Sequence, residues 1–86
     1  MTEYKIQITA TAERQLKRLS KTDQRRVVNV VAGLTDNPRP RGCRKLRGYD
    51  DVYRVRVGVL RVIYALEDNH LLILVLKVGH RKAVYR

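Results

Sequence analysis

Three arginines in the stretch Tyr53-Arg54-Val55-Arg56-Val57-Gly58-Val59-Leu60-Arg61-Val62-Ile63-Tyr64 suit one kind of chemistry, the handling of phosphate. A guanidinium is planar, stays charged at any ordinary pH and grips phosphate oxygens bidentately. Arg54, Arg56 and Arg61, with Arg81 further along, can therefore hold a phosphate or offset charge growing on one in a transition state. The same properties make them poor proton carriers, so a general acid or base must come from elsewhere. His80 titrates in the useful range, and Tyr85 does so if neighbouring cations favour its phenolate. The bland alternatives stay open: His80 as a strand-end histidine without a role, and Tyr85 as an aromatic packed on a sheet.

Whether the arginines meet depends on the turn between them. If Gly58-Val59 is a two-residue turn with glycine at its first central position, Val57 faces Leu60, Val55 faces Val62 and Tyr53 faces Tyr64, giving an apolar face. The opposite face then sets Arg56 directly across from Arg61, with Arg54 one pair along. Like charges across a strand pair are destabilising, so the arrangement invites an anion between them. A four-residue loop keeps this pairing, whereas a three-residue loop with a bulge turns Arg61 to the other face.

Charge points to the same class of partner. The 86 residues carry a formal net charge of +11, which favours nucleic acid or an acidic protein over a neutral partner. It is also unevenly spread. Residues 39 to 61 hold eight basic and two acidic side chains, net +6, and residues 77 to 86 hold four basic ones, net +4. Residues 62 to 76 carry only Glu67 and Asp68. One footprint built from two stretches of chain is the expectation, with Arg39, Arg41, Arg44, Lys45 and Arg47 extending it. The length suits one small domain spanning 1–86, its core made of Val, Leu, Ile and five tyrosines because Trp and Phe are absent. No apolar run approaches the roughly 20 residues of a membrane span, and the N-terminus has no signal-peptide pattern. The single cysteine, Cys43, excludes an internal disulfide and fits a cytoplasmic setting, as a small core or strand-start residue.

The elements that must position these residues follow from periodicity. Residues 4 to 8 alternate and predict a strand, with Thr9 or Thr11 available to cap a helix over 10 to 19 that buries Ala12, Leu16 and Leu19. Ser20 to Asp23 has the shape of a capping box and opens a second helix through about residue 35, with Val27, Val30, Val31 and Leu34 at helical spacing. Asp36 to Gly42 is a loop. The period then switches to two: a short strand at Arg44 to Arg47, the hairpin 52–57 and 60–67, a turn at Asp68-Asn69, and a strand over 71 to 78 whose near-continuous apolar run suits a central position. Counting back from that turn pairs Leu76 with Arg61 and carries the even positions, His80 included, onto the arginine face. The order predicts an α+β fold: an N-terminal strand and two helices packed on a mainly antiparallel, twisted sheet.

Carboxylates are badly placed for a metal-dependent nuclease. Asp50 and Asp51 sit in a turn, Glu67 and Asp68 lie at the far end of the hairpin, and one cysteine with two histidines, His70 at a turn, gives no zinc-ligand spacing. No metal and no cofactor are expected. If the protein cuts nucleic acid, attack belongs to an RNA 2′-hydroxyl, which needs no metal and restricts the substrate to RNA.

Lys45-Leu46-Arg47-Gly48, Tyr53-Arg54-Val55-Arg56, Leu60-Arg61-Val62-Ile63-Tyr64 and Val78-Gly79-His80-Arg81, followed closely by Tyr85, occur in an order that resembles the signature of RelE toxins in the RelE/ParE superfamily. The resemblance covers about residues 4 to 86. It implies a RelE-like fold and a type II toxin that cleaves messenger RNA in the ribosomal A site, metal-independently and by 2′-hydroxyl attack, stopping translation. It also implies a neutralising cognate antitoxin, expected to be acidic with an amphipathic helix; DNA is met only indirectly, through the toxin–antitoxin complex. Arg61 and Arg81 match the family's phosphate-stabilising arginines and Tyr85 its C-terminal tyrosine. Arg54 and Arg56 fall where lysines are common, which shifts proton transfer toward Tyr85 and His80. Lys45 and Arg47 join Arg54 and Arg56 as substrate-binding candidates. The alternatives are a ParE-like toxin that inhibits DNA gyrase without nuclease activity, and a basic binding module without toxicity.

Overall fold

A computed structural model of the chain describes residues 4–80. Strand β1 (Lys5–Ile8) leads into helix α1 (Ala10–Lys17), capped by the Thr9 hydroxyl, which accepts from the Ala12 N–H at 3.1 Å. Helix α2 (Lys21–Gly33) starts in the same way, with the Ser20 hydroxyl accepting from the Asp23 N–H at 3.1 Å. Strands β2 (Arg44–Lys45), β3 (Val52–Val57), β4 (Leu60–Glu67) and β5 (Leu72–His80) follow, with a short 3₁₀ turn at Asp68–His70. They form one five-stranded sheet in the order β1-β5-β4-β3-β2, antiparallel except where β1 runs parallel to β5. The fold is the expected α+β arrangement. Among the described residues no helix is long and apolar enough to cross a membrane.

The core lies between the helices and one face of the sheet. Val27, Val31 and Leu34 of α2 and its C-terminus, and Ala12 of α1, pack with Val55, Val57, Leu60, Val62, Tyr64, Leu66, Ile73, Val75 and Val78. These strand residues alternate along β3 and β4 because successive side chains point to opposite faces. Removing this apolar surface from water is the main stabilising contribution. The other face is therefore left to Arg54, Arg56 and Arg61.

The β3–β4 hairpin has the predicted register. Val57 pairs with Leu60, Arg56 with Arg61, Val55 with Val62 and Tyr53 with Tyr64, around a two-residue turn in which Gly58 has φ +61. That positive φ is why glycine stands there.

The β4–β5 register differs from the expected one. The connection is four residues long, since the 3₁₀ turn ends on Leu71 in the left-handed region (φ 50), and a bulge interrupts the ladder between Ile63 and Tyr64. Ile63 pairs with Lys77 while Tyr64 pairs with Val75, so Leu76 is the extra residue. Arg61 consequently faces Gly79 rather than Leu76. A loop longer by two keeps side-chain parity, but a bulge reverses it. Leu72 and Leu74 share the arginine face as predicted, whereas beyond the bulge Lys77 and Gly79 do. Gln15 of α1 and Thr9 attend this irregular stretch: the Val78 N–H donates to Gln15 Oε1 at 2.8 Å, and the Thr9 hydroxyl donates to the Leu76 carbonyl at 3.0 Å.

Candidate functional site

Adjacent strands are about 4.8 Å apart, and alternate residues of one strand about 6.7 Å, so the pairing alone brings the guanidinium stems of the open face together. Arg44 in β2 pairs with Arg54 in β3, and two residues on, Arg56 pairs with Arg61 in β4. These four, with Arg41 from the preceding loop, wall a groove of about 520 Å³ whose floor includes Gly42, Val55 and Gly58. Among the described residues its lining holds five arginines and no carboxylate. A second groove, of about 570 Å³, runs along the β2 edge and shares Arg44 and Arg54 with the first, adding Lys45, Leu46 and Arg47. The candidates Arg54, Arg56, Arg61, Lys45 and Arg47 thus lie on one connected basic surface.

Burial differs sharply within this set. Arg61 is 8% exposed, the single buried charged side chain among the described residues, while Arg56 and Arg44 are exposed and Arg54 is half-buried. A charge held out of water acts through a lower local dielectric, so burial strengthens the electrostatic interactions of Arg61 relative to those of the exposed arginines. The sequence places Arg41 only in the wider basic footprint; its position on the groove wall depends on a loop whose path periodicity does not specify.

His80 ends β5 opposite Leu60, an apolar core position on the helix-facing side of the sheet. The bulge turns His80 away from the arginine face on which a regular ladder from the Asp68-Asn69 turn would place it. Arg81 and Tyr85 lie outside the described residues.

Arg39, expected among the nucleic-acid contacts, is occupied elsewhere. Its Nη2 donates to Asp68 Oδ2 at 2.8 Å and its Nε donates to the Tyr53 hydroxyl at 3.1 Å, with the guanidinium 5.2 Å from the Tyr53 ring centroid. Tyr4 donates to the other Asp68 oxygen at 2.7 Å, and Tyr64 donates to the Pro38 carbonyl at 2.8 Å. Arg39, and after it Tyr4, hold the Asp68 carboxyl below its ordinary range. The Asp68 carboxylate raises the Tyr4 phenol, and burial, followed by the neighbouring Cys43, pushes the Tyr64 phenol well above the usual tyrosine value. Among the described residues no three His, Cys, Asp or Glu side chains gather as a metal site requires.

The geometry has counterparts in known proteins. A family model described as the ParE toxin of the type II toxin–antitoxin system parDE matches residues 6–85. Toxin RelE of Mycobacterium tuberculosis is 34% identical over 84 residues, covering 96% of this chain and 87% of that protein. Toxin RelG of the same organism is 31% identical, covering 96% and 97%. Among solved structures, the RelE–RelB complex from Pyrococcus horikoshii superposes with a TM-score of 0.83 at 31% identity, over 95% of this chain and 99% of that one.

Proposed function

We propose that this chain, which belongs to the ParE toxin family of type II toxin–antitoxin systems, arrests growth as a ribosome-dependent endoribonuclease acting on messenger RNA. The observation that carries the nuclease reading is the groove of five arginines with Arg61 buried in its wall. It suits a phosphodiester that gains negative charge as it reacts. The 2′-oxygen attacks the adjacent phosphorus in line, the new O2′–P bond replaces the P–O5′ bond, and the products end in a 2′,3′-cyclic phosphate and a 5′-hydroxyl. Arg61 and Arg81 offset charge on the phosphorane oxygens, with Arg56 assisting from across the strand pair. Tyr85, acting as its phenolate, takes the 2′-proton, and the departing O5′ takes a proton from solvent water to leave as the 5′-hydroxyl. Of the two proton carriers the sequence offers, it is preferred because His80 pairs with a residue of the opposite face. Arg54, Arg44, Lys45 and Arg47 bind flanking phosphates.

A site with so few proton-transfer groups leaves much of the rate to substrate positioning, which is the part the ribosome supplies. The protein acts in the cytoplasm and is neutralised by a cognate antitoxin, expected to be acidic because the groove is basic; the relative from Pyrococcus horikoshii solved as a RelE–RelB complex supports a bound partner. Primer extension on a translated message after induction tests the proposal. Cuts confined to messages under translation support it, and efficient cleavage of protein-free transcripts counts against ribosome dependence. A second reading, inhibition of DNA gyrase without nuclease activity, has the family model's ParE description in its favour. Intact transcripts with accumulating DNA breaks would establish that reading instead.

A further inference from the structure

The loop that brings Arg41 to the groove is braced at a distance from it. Its carbonyl at Thr35 accepts from the Tyr4 N–H at 3.3 Å, its carbonyl at Pro38 accepts from the buried Tyr64 hydroxyl, and Arg39 is gripped by Asp68 and Tyr53. Pro40 follows directly, and its ring fixes φ. The chain then turns through Pro40–Cys43, closed by the Cys43 N–H donating to the Pro40 carbonyl at 3.0 Å with Gly42 at φ +91, the geometry of a type II turn. Arg41 occupies the first corner of that turn. Between the gripped Arg39 and the groove-lining Arg41 there is thus one residue, and it is the stiffest available.

We propose that Asp68, the first residue of the 3₁₀ turn after β4, is a positioning residue for the groove: by clamping Arg39 it fixes the 35–43 loop so that Arg41 is held at the groove wall as a phosphate ligand. This rests on reading the groove as a phosphate site. The sign of the effect separates it from simple electrostatics. Removing Asp68 raises the net charge above +11, and through-space attraction alone then predicts tighter RNA binding. Loss of the clamp predicts weaker binding.

The test measures binding of a short single-stranded RNA, blocked against cleavage by 2′-O-methylation, to the purified full chain over a range of salt concentrations. Asp68→Ala is expected to bind about threefold weaker, with a log–log salt slope shallower by about 0.7, the loss of one phosphate contact on a single strand. Arg41→Ala is expected to match it, and the double variant to be no worse than either single one, since both remove the same contact. Asp68→Asn, which keeps one acceptor oxygen for Arg39, is expected to fall in between and to guard against an alanine variant that does not fold. An Asp68 variant that is folded but binds as tightly as the parent or tighter, while Arg41→Ala is weakened, overturns the clamp and leaves the phosphate site standing. Additive losses at Asp68 and Arg41 also overturn it, because they mark two independent contributions where the clamp requires one shared contact. If Arg41→Ala, Arg56→Ala and Arg61→Ala all bind like the parent, the phosphate site and the clamp fail together.

Discussion

The two ends of the β3–β4 hairpin use arginine in opposite ways. At the open end of the pair Arg39 lies over the Tyr53 ring with a carboxylate at 2.8 Å, and neighbouring hydroxyls complete the cluster. Toward the Gly58 turn, Arg56 and Arg61 stand opposite each other in a groove whose described lining has no carboxylate. The residue type is the same; the company differs. An arginine held by a carboxylate of its own sheet ties the chain together, whereas the five groove arginines, with no carboxylate among the described lining residues, form the surface on which the phosphate-binding proposal rests.

Substitutions can break that contrast. The largest effect is expected at the groove: Arg61→Ala and Arg81→Ala should each lower message cleavage by about 10² to 10³-fold, the cost of losing a group aimed at transition-state charge. Growth after induction and primer extension measure it, with a cooperative thermal melt as the control for folding. Arg56→Ala should cost about tenfold, because an exposed side chain is better screened than the buried Arg61. Equal losses at Arg56 and Arg61 would show that burial does not rank the two. At the braced end, Tyr64→Phe should cost about 1 kcal/mol of unfolding free energy in urea by removing the hydrogen bond to the Pro38 carbonyl.

The smallest effect should come from pH. The Asp68 carboxyl is held below its ordinary value, so its charged form stabilises the fold above about pH 4 and that contribution fades as acid protonates it. Melting temperatures of the parent and Asp68→Asn should therefore differ near neutrality and converge below about pH 4. A difference that persists in acid would assign the stabilisation to shape instead of charge.

The sequence makes these regions unequally legible. The hairpin was readable because Val55, Val57, Leu60 and Val62 alternate with polar residues about a glycine, and alternation with a turn signal specifies register. Both helix starts were readable from Thr9 and Ser20, while the helices end two residues earlier than periodicity predicts. Strand β5 was the failure. Leu-Leu-Ile-Leu-Val-Leu is apolar at every position, so slipping or bulging it leaves hydrophobic side chains on both faces and no pattern records the difference. Nothing local flags that His80 lands on the wrong side. The ion pair of Arg39 was illegible for a related reason: its carboxylate is 29 residues away, and composition alone makes any arginine in a basic segment resemble a phosphate ligand. The arginine pairing was visible early because it depends on neighbours five residues apart.

The parallel pairing of Lys5 with Leu72 and Ile8 with Val75 also sets a timetable for synthesis. The first strand made has no neighbour until the last one has emerged, and contacts so distant along the chain form late and slowly. The β3–β4 hairpin, whose partners are near neighbours in sequence, is therefore expected to form ahead of this parallel edge, with Arg56 and Arg61 in register before the sheet gains its last strand pair.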